Sequence, residues 1–437
     1  MKKIFAITLL GLLLLTSCSN GYKIGEKVSY YAEPVLNKDG KPIELYNSSI
    51  TLTTYSQRFL DEVSPLFQER VEDIHIASDR YNYYVDENKQ IINNLRVVNE
   101  SYGSDKAIKI SDDLYYLLDL SLDLVELSEG YFNPTMGSLI DLWTDTIPTY
   151  PGYGKVDIVG SEEFNKAFNE MIPYTKEDSL RNYIVLNDED KTVTFKKYKD
   201  VENIEISLGG IAKGYGMYEA EKMLKQYDMP MTIDGGSSSL ALINDKPVDK
   251  LYNIGIASPY SNGPFGQKIL YLTPLPAGTN ISTSGDYLHY MYVTDKVCNE
   301  DDEVQCTRLK EDLGNGKFRY IRRHHILNPY KGHSENYYRV VNINANDRAD
   351  VLDALTTALF NIDIVNDRDT FLRVIDNFEK AFNIEIDYLL EQEFSYYNVE
   401  GKEWSALDVY MNKGMNEKID YSYDKGFDLI NKEYIIE

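Results

Sequence analysis

Asp353 and Thr357 stand four residues apart in the run Ala349-Asp350-Val351-Leu352-Asp353-Ala354-Leu355-Thr356-Thr357-Ala358-Leu359-Phe360. Read as a helix, the run puts both side chains on one face. A carboxylate and a hydroxyl one turn apart offer two hard oxygens, and Mg2+ takes a few protein oxygens while water and substrate phosphate complete its shell. Such pairs are also common on solvated helix faces, so a cation needs a further donor, which a glycine-turn carbonyl can supply. The second chemical group is His324-His325, two of only five histidines in the chain. An imidazole near its ordinary pKa can take the proton of an attacking hydroxyl or return one to a leaving phosphate. Hydrogen-bonded inside a hairpin, it would only hold structure.

The turn that fits is Ser207-Leu208-Gly209-Gly210-Ile211-Ala212-Lys213-Gly214-Tyr215-Gly216. Ahead of it, residues 203–208 alternate polar and apolar as a half-buried strand does; behind it, residues 217–226 carry apolar side chains at helical spacing. A strand, a glycine turn and a helix start let a ligand approach the backbone and offer the first helical N–H groups to a phosphate, with Lys213 beside them. A tight connection that packs a helix on a sheet would look the same. No Gly-Lys-Ser/Thr ending marks a P-loop, no G-x-G-x-x-G opens a βαβ unit at the start of the chain, and no G-x-S-x-G elbow occurs.

These groups need a scaffold. Residues 49–55 read as a strand and 58–78 as a helix, and a helix over 111–127 opens on a serine cap with aspartates in its first turn, where the dipole favours them. It runs into Ser128-Glu129-Gly130-Tyr131-Phe132-Asn133-Pro134-Thr135-Met136-Gly137, a second glycine-and-proline turn with two aromatics, followed by a helical run ending at Trp143. A hairpin is expected near 183–196, and strands over 253–258 and 267–272. Met231-Thr232-Ile233-Asp234-Gly235-Gly236-Ser237-Ser238-Ser239-Leu240 is another strand entering a glycine turn, and Ile281-Ser282-Thr283-Ser284-Gly285-Asp286-Tyr287 gathers hydroxyls about a glycine. An acidic insertion at about 294–317 interrupts a hairpin whose return arm carries Arg322-Arg323-His324-His325. Residues 366–437 form a C-terminal extension that completes or decorates the domain.

The 437 residues are 43% hydrophobic, enough for a large core, and the formal charge is −25. That charge disfavours phosphodiester backbones and anionic lipid surfaces, so nucleic acid is not an expected partner. Met1-Lys2-Lys3, an apolar run over 4–15 and the tail Leu15-Thr16-Ser17-Cys18 describe an export signal ending in a bacterial lipobox. The expectation is a signal peptide over 1–17, a lipidated Cys18 that anchors the chain to the cell membrane on its extracytoplasmic face, and a polar tether over 18–45. Cys298 and Cys306 then remain as an even pair in a compartment where disulfides persist, able to close a small loop. A Zn site would need further ligands nearby.

Taken in order, six segments resemble the FAD:protein FMN transferases, the ApbE-type flavin transferases. They are Gly130-Tyr131-Phe132-Asn133-Pro134-Thr135 with Trp143, Leu208-Gly209-Gly210-Ile211-Ala212-Lys213-Gly214-Tyr215, Asp234-Gly235-Gly236, Ile281-Ser282-Thr283-Ser284-Gly285-Asp286-Tyr287, His324-His325-Ile326-Leu327-Asn328-Pro329 and Asp353-Ala354-Leu355-Thr356-Thr357-Ala358-Leu359. The resemblance implies an α+β, ApbE-like and T-fold-related fold with mixed sheets and flanking helices, its domain spanning 46–365. It further implies FAD as substrate, Mg2+ held by Asp353, Thr357 and the Gly210 carbonyl, and phosphate held by Lys213 and the turn amides. Tyr84, Tyr131, Phe132, Asn133, Ser207 and Leu327 would contact the flavin nucleotide, and His325 and Asp353 would be catalytic. The implied reaction is Mg2+-dependent transfer of the FMN half of FAD to a Ser or Thr hydroxyl of an exported or membrane redox protein, releasing AMP. Two other readings use the same residues: FAD hydrolysis to FMN and AMP, and a lipoprotein that binds flavin without turnover. The chain departs from the family at Asn133, Ser207 and Asn328, where aspartate is usual; an amide or hydroxyl there can hydrogen-bond a ligand but adds no charge.

Overall fold

Short runs of alternating apolar residues, each closed by a turn, give strands with one or both faces buried. In chain order these are β1 (Val28–Tyr31), β2 (Ile50–Thr54), β3 (Met231–Gly235), β4 (Ser239–Ile243), β5 (Asn280–Gly285), β6 (Lys310–Gly314), β7 (Lys317–Tyr320), β8 (Val340–Ala345), β9 (Ile386–Tyr397), β10 (Glu403–Asn412) and β11 (Ile430–Ile436). They form one eleven-stranded sheet in the order β1-β2-β3-β4-β5-β8-β9-β7-β6, antiparallel along that path. β10 pairs with β9 as well, and β11 runs parallel to β10. The long β9 takes β8 against residues 386–391 and β7 against residues 395–396, so one of its edges serves two strands. The structure is a computed structural model, and it describes residues 24–149, 152–236, 238–246, 250–260, 268–286, 289–296, 298, 306–425 and 429–436.

Helices α1 (Gln57–Ser78), α2 (Asp112–Leu127), α3 (Gly137–Thr146), α4 (Ala212–Leu224), α5 (Ala349–Phe360) and α6 (Arg368–Phe382) accompany the sheet. The alternation in β9 shows the layering: Tyr388 and Leu390 join the core beneath α2, α5 and α6, while Leu389 faces the hairpin Leu251–Ala257/Ile269–Pro276 on the opposite side. The fold is therefore α+β, helices on one face of a mixed sheet and a hairpin on the other. α5 lies in the middle of the helical layer, with every residue except Thr357 buried. Its polar members Asp350, Asp353 and Thr356 must therefore find partners inside the protein.

Several expected elements form as read. α1 and α2 start at serine caps, with Ser56 Oγ accepting from Phe59 N and Ser111 Oγ from Leu114 N, and the hairpin Ile184–Asn187/Thr192–Phe195 stands where one was expected. Residues 203–208 do not enter a sheet, although Ile204, Ile206 and Leu208 are buried as their alternation requires. Their backbone is held singly instead: Ile206 N donates to Asn99 Oδ1 at 2.9 Å and Ser207 N to Pro134 O at 2.7 Å. Alternation reports which side chains are buried, and here no neighbouring strand supplies the ladder. The segment read as a tether over 18–45 contributes β1 to the sheet edge. The acidic insertion contains the disulfide Cys298–Cys306 and returns as β6, and the extension supplies β9, β10 and β11, completing the sheet. The signal peptide and Cys18 lie outside the described residues.

Candidate active site

The Gly209-Gly210 turn delivers the chain into α4, and α5 crosses beside that helix start. Asp353 Oδ2 accepts the Gly214 N–H at 3.0 Å, so a carboxylate from α5 caps the N-terminal turn of α4. Gly214 has to be a glycine, because a Cβ there would stand 2.5 Å from the Ala349 carbonyl and 3.2 Å from Asp353 Oδ2. Asp353 Oδ1 accepts from Ser239 Oγ on β4 and from Ser282 Oγ on β5, both at 2.7 Å. Ser282 belongs to the hydroxyl-rich segment 281–287 and Ser239 to the strand that follows the Gly235-Gly236 turn, and only the sheet brings them to one carboxylate. One turn along α5, Thr357 Oγ1 donates to the Asp353 carbonyl at 2.9 Å and keeps its lone pairs. A Cβ on Gly210 would lie 3.9 Å from Thr357 Oγ1 and 3.1 Å from the Phe132 ring. Asp353, Thr357 and Gly210, predicted as one oxygen set, are thus brought together.

No cluster of three His, Cys, Asp or Glu side chains suited to a metal occurs among the described residues. What the site offers is one carboxylate, one hydroxyl and turn carbonyls, a donor set for a hard cation that keeps most of its shell from water and ligand phosphate. A carboxylate accepts at about four lone-pair positions. Three are taken here, which leaves one on Oδ2, so the residues fit a Mg2+ ion bound through few protein atoms.

Basic groups face the same turn. Lys213, in the first turn of α4, reaches Ser238 Oγ, and Ser238 Oγ donates to Gly235 O at 3.1 Å. His325 follows the strand Arg322–His324, whose antiparallel partner Tyr290–Val293 places Tyr290 opposite His324. The next position along that pair sets His289 against His325, with ring centroids 5.8 Å apart. The His325 pKa is lowered to about 4, by desolvation of the imidazole first and then by the nearby His289 and Lys213, against the opposing pull of Asp286, so the ring rests neutral. His324 is fully buried, with Nε2 bonded to the Glu335 carbonyl at 2.8 Å and Nδ1 accepting from Ile326 N at 3.3 Å. Burial holds its pKa at about 3, and its role is structural.

The expected flavin contacts divide. Phe132 lies against Gly210, and Tyr131, half-buried, meets Tyr330 edge-on at 5.1 Å. Ser207 is half-buried at the mouth of the turn, its Oγ 3.7 Å from a Cβ built on Gly209. Asn133 is consumed locally: Oδ1 accepts from Thr135 N and Oγ1, and Nδ2 donates to Ile172 O at 2.8 Å. It shapes the aromatic turn. Leu327 buries its side chain with Met136, Leu139 and Trp143, leaving its carbonyl bonded to Asn361 Nδ2 at 3.1 Å. Tyr84 is 1% exposed in a separate core beneath α1, its hydroxyl donating to Asp79 Oδ2 at 2.7 Å. All three side chains are engaged inside the protein, where the resemblance implied contacts to the nucleotide. Asn328 is likewise buried, with Nδ2 on Glu335 Oε1 and Oδ1 on Tyr330 N.

A mixed, mostly antiparallel sheet, helices packed on it, and a glycine turn entering a helix beside a carboxylate, a hydroxyl and a lysine are the marks of an α+β protein with a polar site at a helix start. The chain belongs to the ApbE family, whose sequence model matches residues 47–377. Its fold is that of solved ApbE proteins. One from Thermotoga maritima is 19% identical, with TM-score 0.57, covering 90% of this chain and 100% of that one. The flavin transferase ApbE from Vibrio cholerae is 17% identical, with TM-score 0.52 and coverage of 87% and 97%. The flavinyl transferase ApbE of Pseudomonas stutzeri is 14% identical, with TM-score 0.51 and coverage of 91% and 98%. No curated protein matches significantly.

Proposed function

We propose that this protein transfers the FMN moiety of FAD to a Ser or Thr hydroxyl of an exported or membrane redox protein, with Mg2+ bound and AMP released, while anchored through Cys18 on the extracytoplasmic face of the cell membrane. The observation that carries the reading is the convergence of Asp353, Thr357 and Gly210 on the helix start that also bears Lys213. Two solved relatives of the same fold are flavin transferases by name. Mg2+ held by Asp353, Thr357 and the Gly210 carbonyl would neutralise charge on the pyrophosphate. Lys213 and the turn amides hold the phosphates in line. The acceptor oxygen bonds to the FMN phosphorus as that phosphorus parts from the AMP oxygen, and the hydroxyl proton passes to neutral His325. Phe132 and Tyr131 flank the nucleotide and exclude water from that line.

The test is incubation of the chain without residues 1–18 with FAD, Mg2+ and a candidate acceptor domain, followed by denaturation. Flavin fluorescence retained on the acceptor with AMP release supports transfer. AMP and free FMN without labelled acceptor would make the protein a FAD pyrophosphatase. Tight FAD binding with neither product would make it a flavin-binding lipoprotein, a reading that Asp353, with three of its acceptor positions already in use, keeps open. Asp353→Ala is expected to lower AMP release at least about 100-fold while weakening FAD binding far less.

A further inference from the structure

The C-terminal extension sends Glu393 into a buried ring of charges next to the histidine segments. Arg322 and Arg339 are 1% and 3% exposed, and Asp286 is fully buried between them. Arg322 Nε pairs with Asp286 Oδ2 at 2.6 Å, and Arg339 Nε with Asp286 Oδ1 at 2.5 Å. Glu393, on β9, closes the ring: its Oε2 lies 2.6 Å from Arg322 and 2.8 Å from Arg339, and its Oε1 accepts from Tyr260. Two cations meet two anions. Glu391, two residues earlier, is fully buried with neither carboxylate oxygen bonded among the described residues. Burial raises its pKa well above the ordinary value, so it adds no charge. Burial would also raise Glu393, but Arg339 and Arg322 overcome that and hold it at about 2.

The ring sits at a mechanical junction. Asp286 stands three residues before His289 in the sequence, and Arg322 begins the strand that ends at His324, three residues before His325. The Asp286–Arg322 pair therefore ties together the two segments that present the facing histidines, and Glu393 holds both arginines from the far side. We propose that Glu393, which lies beyond the residues matched by the family model, is a positioning residue that sets the His289–His325 pair through Arg322, Arg339 and Asp286. The inference rests on the proposed role of His325 as proton acceptor. It also gives β9 a part in the reaction beyond completing the sheet. Removing one charge from such a ring leaves the other three unbalanced in a low-dielectric interior, where they rearrange.

The experiment uses the full mature chain with FAD, Mg2+ and acceptor. Glu393→Gln keeps the shape and removes the charge. It is expected to lower kcat about tenfold or more with the KM for FAD within about twofold, and to shift the His325 ring resonances and their titration in NMR spectra. The groups facing His325 are His289, Asp286 and Lys213, and Lys213→Met serves as a control for a change of local field alone, moving the titration without moving the His289 resonances. Because Glu393→Gln can fail to fold, the double variant Arg339→Met/Glu393→Leu removes one charge of each sign. It is expected to fold, with both histidine resonances displaced. Folded variants with kcat and both histidine spectra unchanged would overturn the proposal. If the unaltered protein transfers no flavin, the proposed reaction fails, and the clamp is judged by the resonances alone: displaced in Glu393→Gln it stands, unmoved it falls.

Discussion

At the scale of single residues, the site turns on the double engagement of Asp353. Its carboxylate caps α4 and receives two serine hydroxyls, so removing it both strips a cation ligand and orphans buried donors. Asp353→Ala is expected to cost about 2–4 kcal/mol of stability, whereas Asp353→Asn, which keeps an acceptor, should cost less and still lose metal-dependent turnover. Thermal unfolding beside an AMP-release assay separates the two; equal activity in the Asp353→Asn variant and the unaltered protein at saturating Mg2+ would remove Asp353 from the metal site. Tyr84→Phe makes the complementary case. Its hydroxyl bonds Asp79 in a closed core, so the change should cost about 1 kcal/mol and leave FAD affinity, read by flavin fluorescence titration, unchanged. The sequence pointed to Asp353, Thr357, Gly210 and Lys213 as one group because hydroxyl, carboxylate and glycine spacings carry that pattern locally, and the fold sets them about one helix start. It could not show that the side chains of Asn133, Leu327 and Tyr84 are engaged within the protein, because a side chain's partners, not its type, decide where it faces.

At the scale of elements, periodicity identified the α5 helix over its full length and the start of α2 by its serine cap, while residues 203–208 showed strand alternation without strand pairing. The packing of α4 against β5 contains something no pattern reveals. Glu221, on α4, is 2% exposed, and its Oε2 has no hydrogen-bond partner among the described residues. Asn280 at the start of β5 is fully buried. Burial raises the Glu221 pKa to about 7, opposed by Asn280 and Lys225. The folded state therefore binds this proton more tightly than the unfolded chain does. Its stabilising effect is complete below the ordinary carboxyl value and is lost as pH rises through about 7, a difference of about 3 kcal/mol across the range. Stability measured by denaturant titration should fall between pH 5 and pH 8, and Glu221→Gln, which cannot ionise, should flatten that fall. A variant that keeps the full pH dependence would place the titration elsewhere.

At the scale of the molecule, the family match ends at residue 377, yet the sheet does not. β9 lies between β8 and β10, and its Leu389 and Leu390 are fully buried on opposite faces. Leu407, Val409 and Met411 of β10 complete the core under the Leu251–Ala257/Ile269–Pro276 hairpin. A chain stopped at residue 384 would expose the β8 edge and both of these apolar surfaces, and an unpaired, largely apolar strand edge pairs with other copies. It should give insoluble or non-cooperatively unfolding protein. Stopping at residue 425 removes β11, a parallel edge strand laddered to β10 and further held by the stacking of Tyr434 on Tyr410 at 4.6 Å and the Tyr271–Glu433 hydrogen bond at 2.6 Å. That chain should stay soluble and cooperative with a lower Tm, because an outer strand carries only part of its face into the core. The contrast between the two truncations, read by soluble yield and calorimetry, decides whether the extension belongs to the folding unit. A soluble, cooperative 384-residue chain would reduce it to decoration and leave Glu393 without a part in the active site.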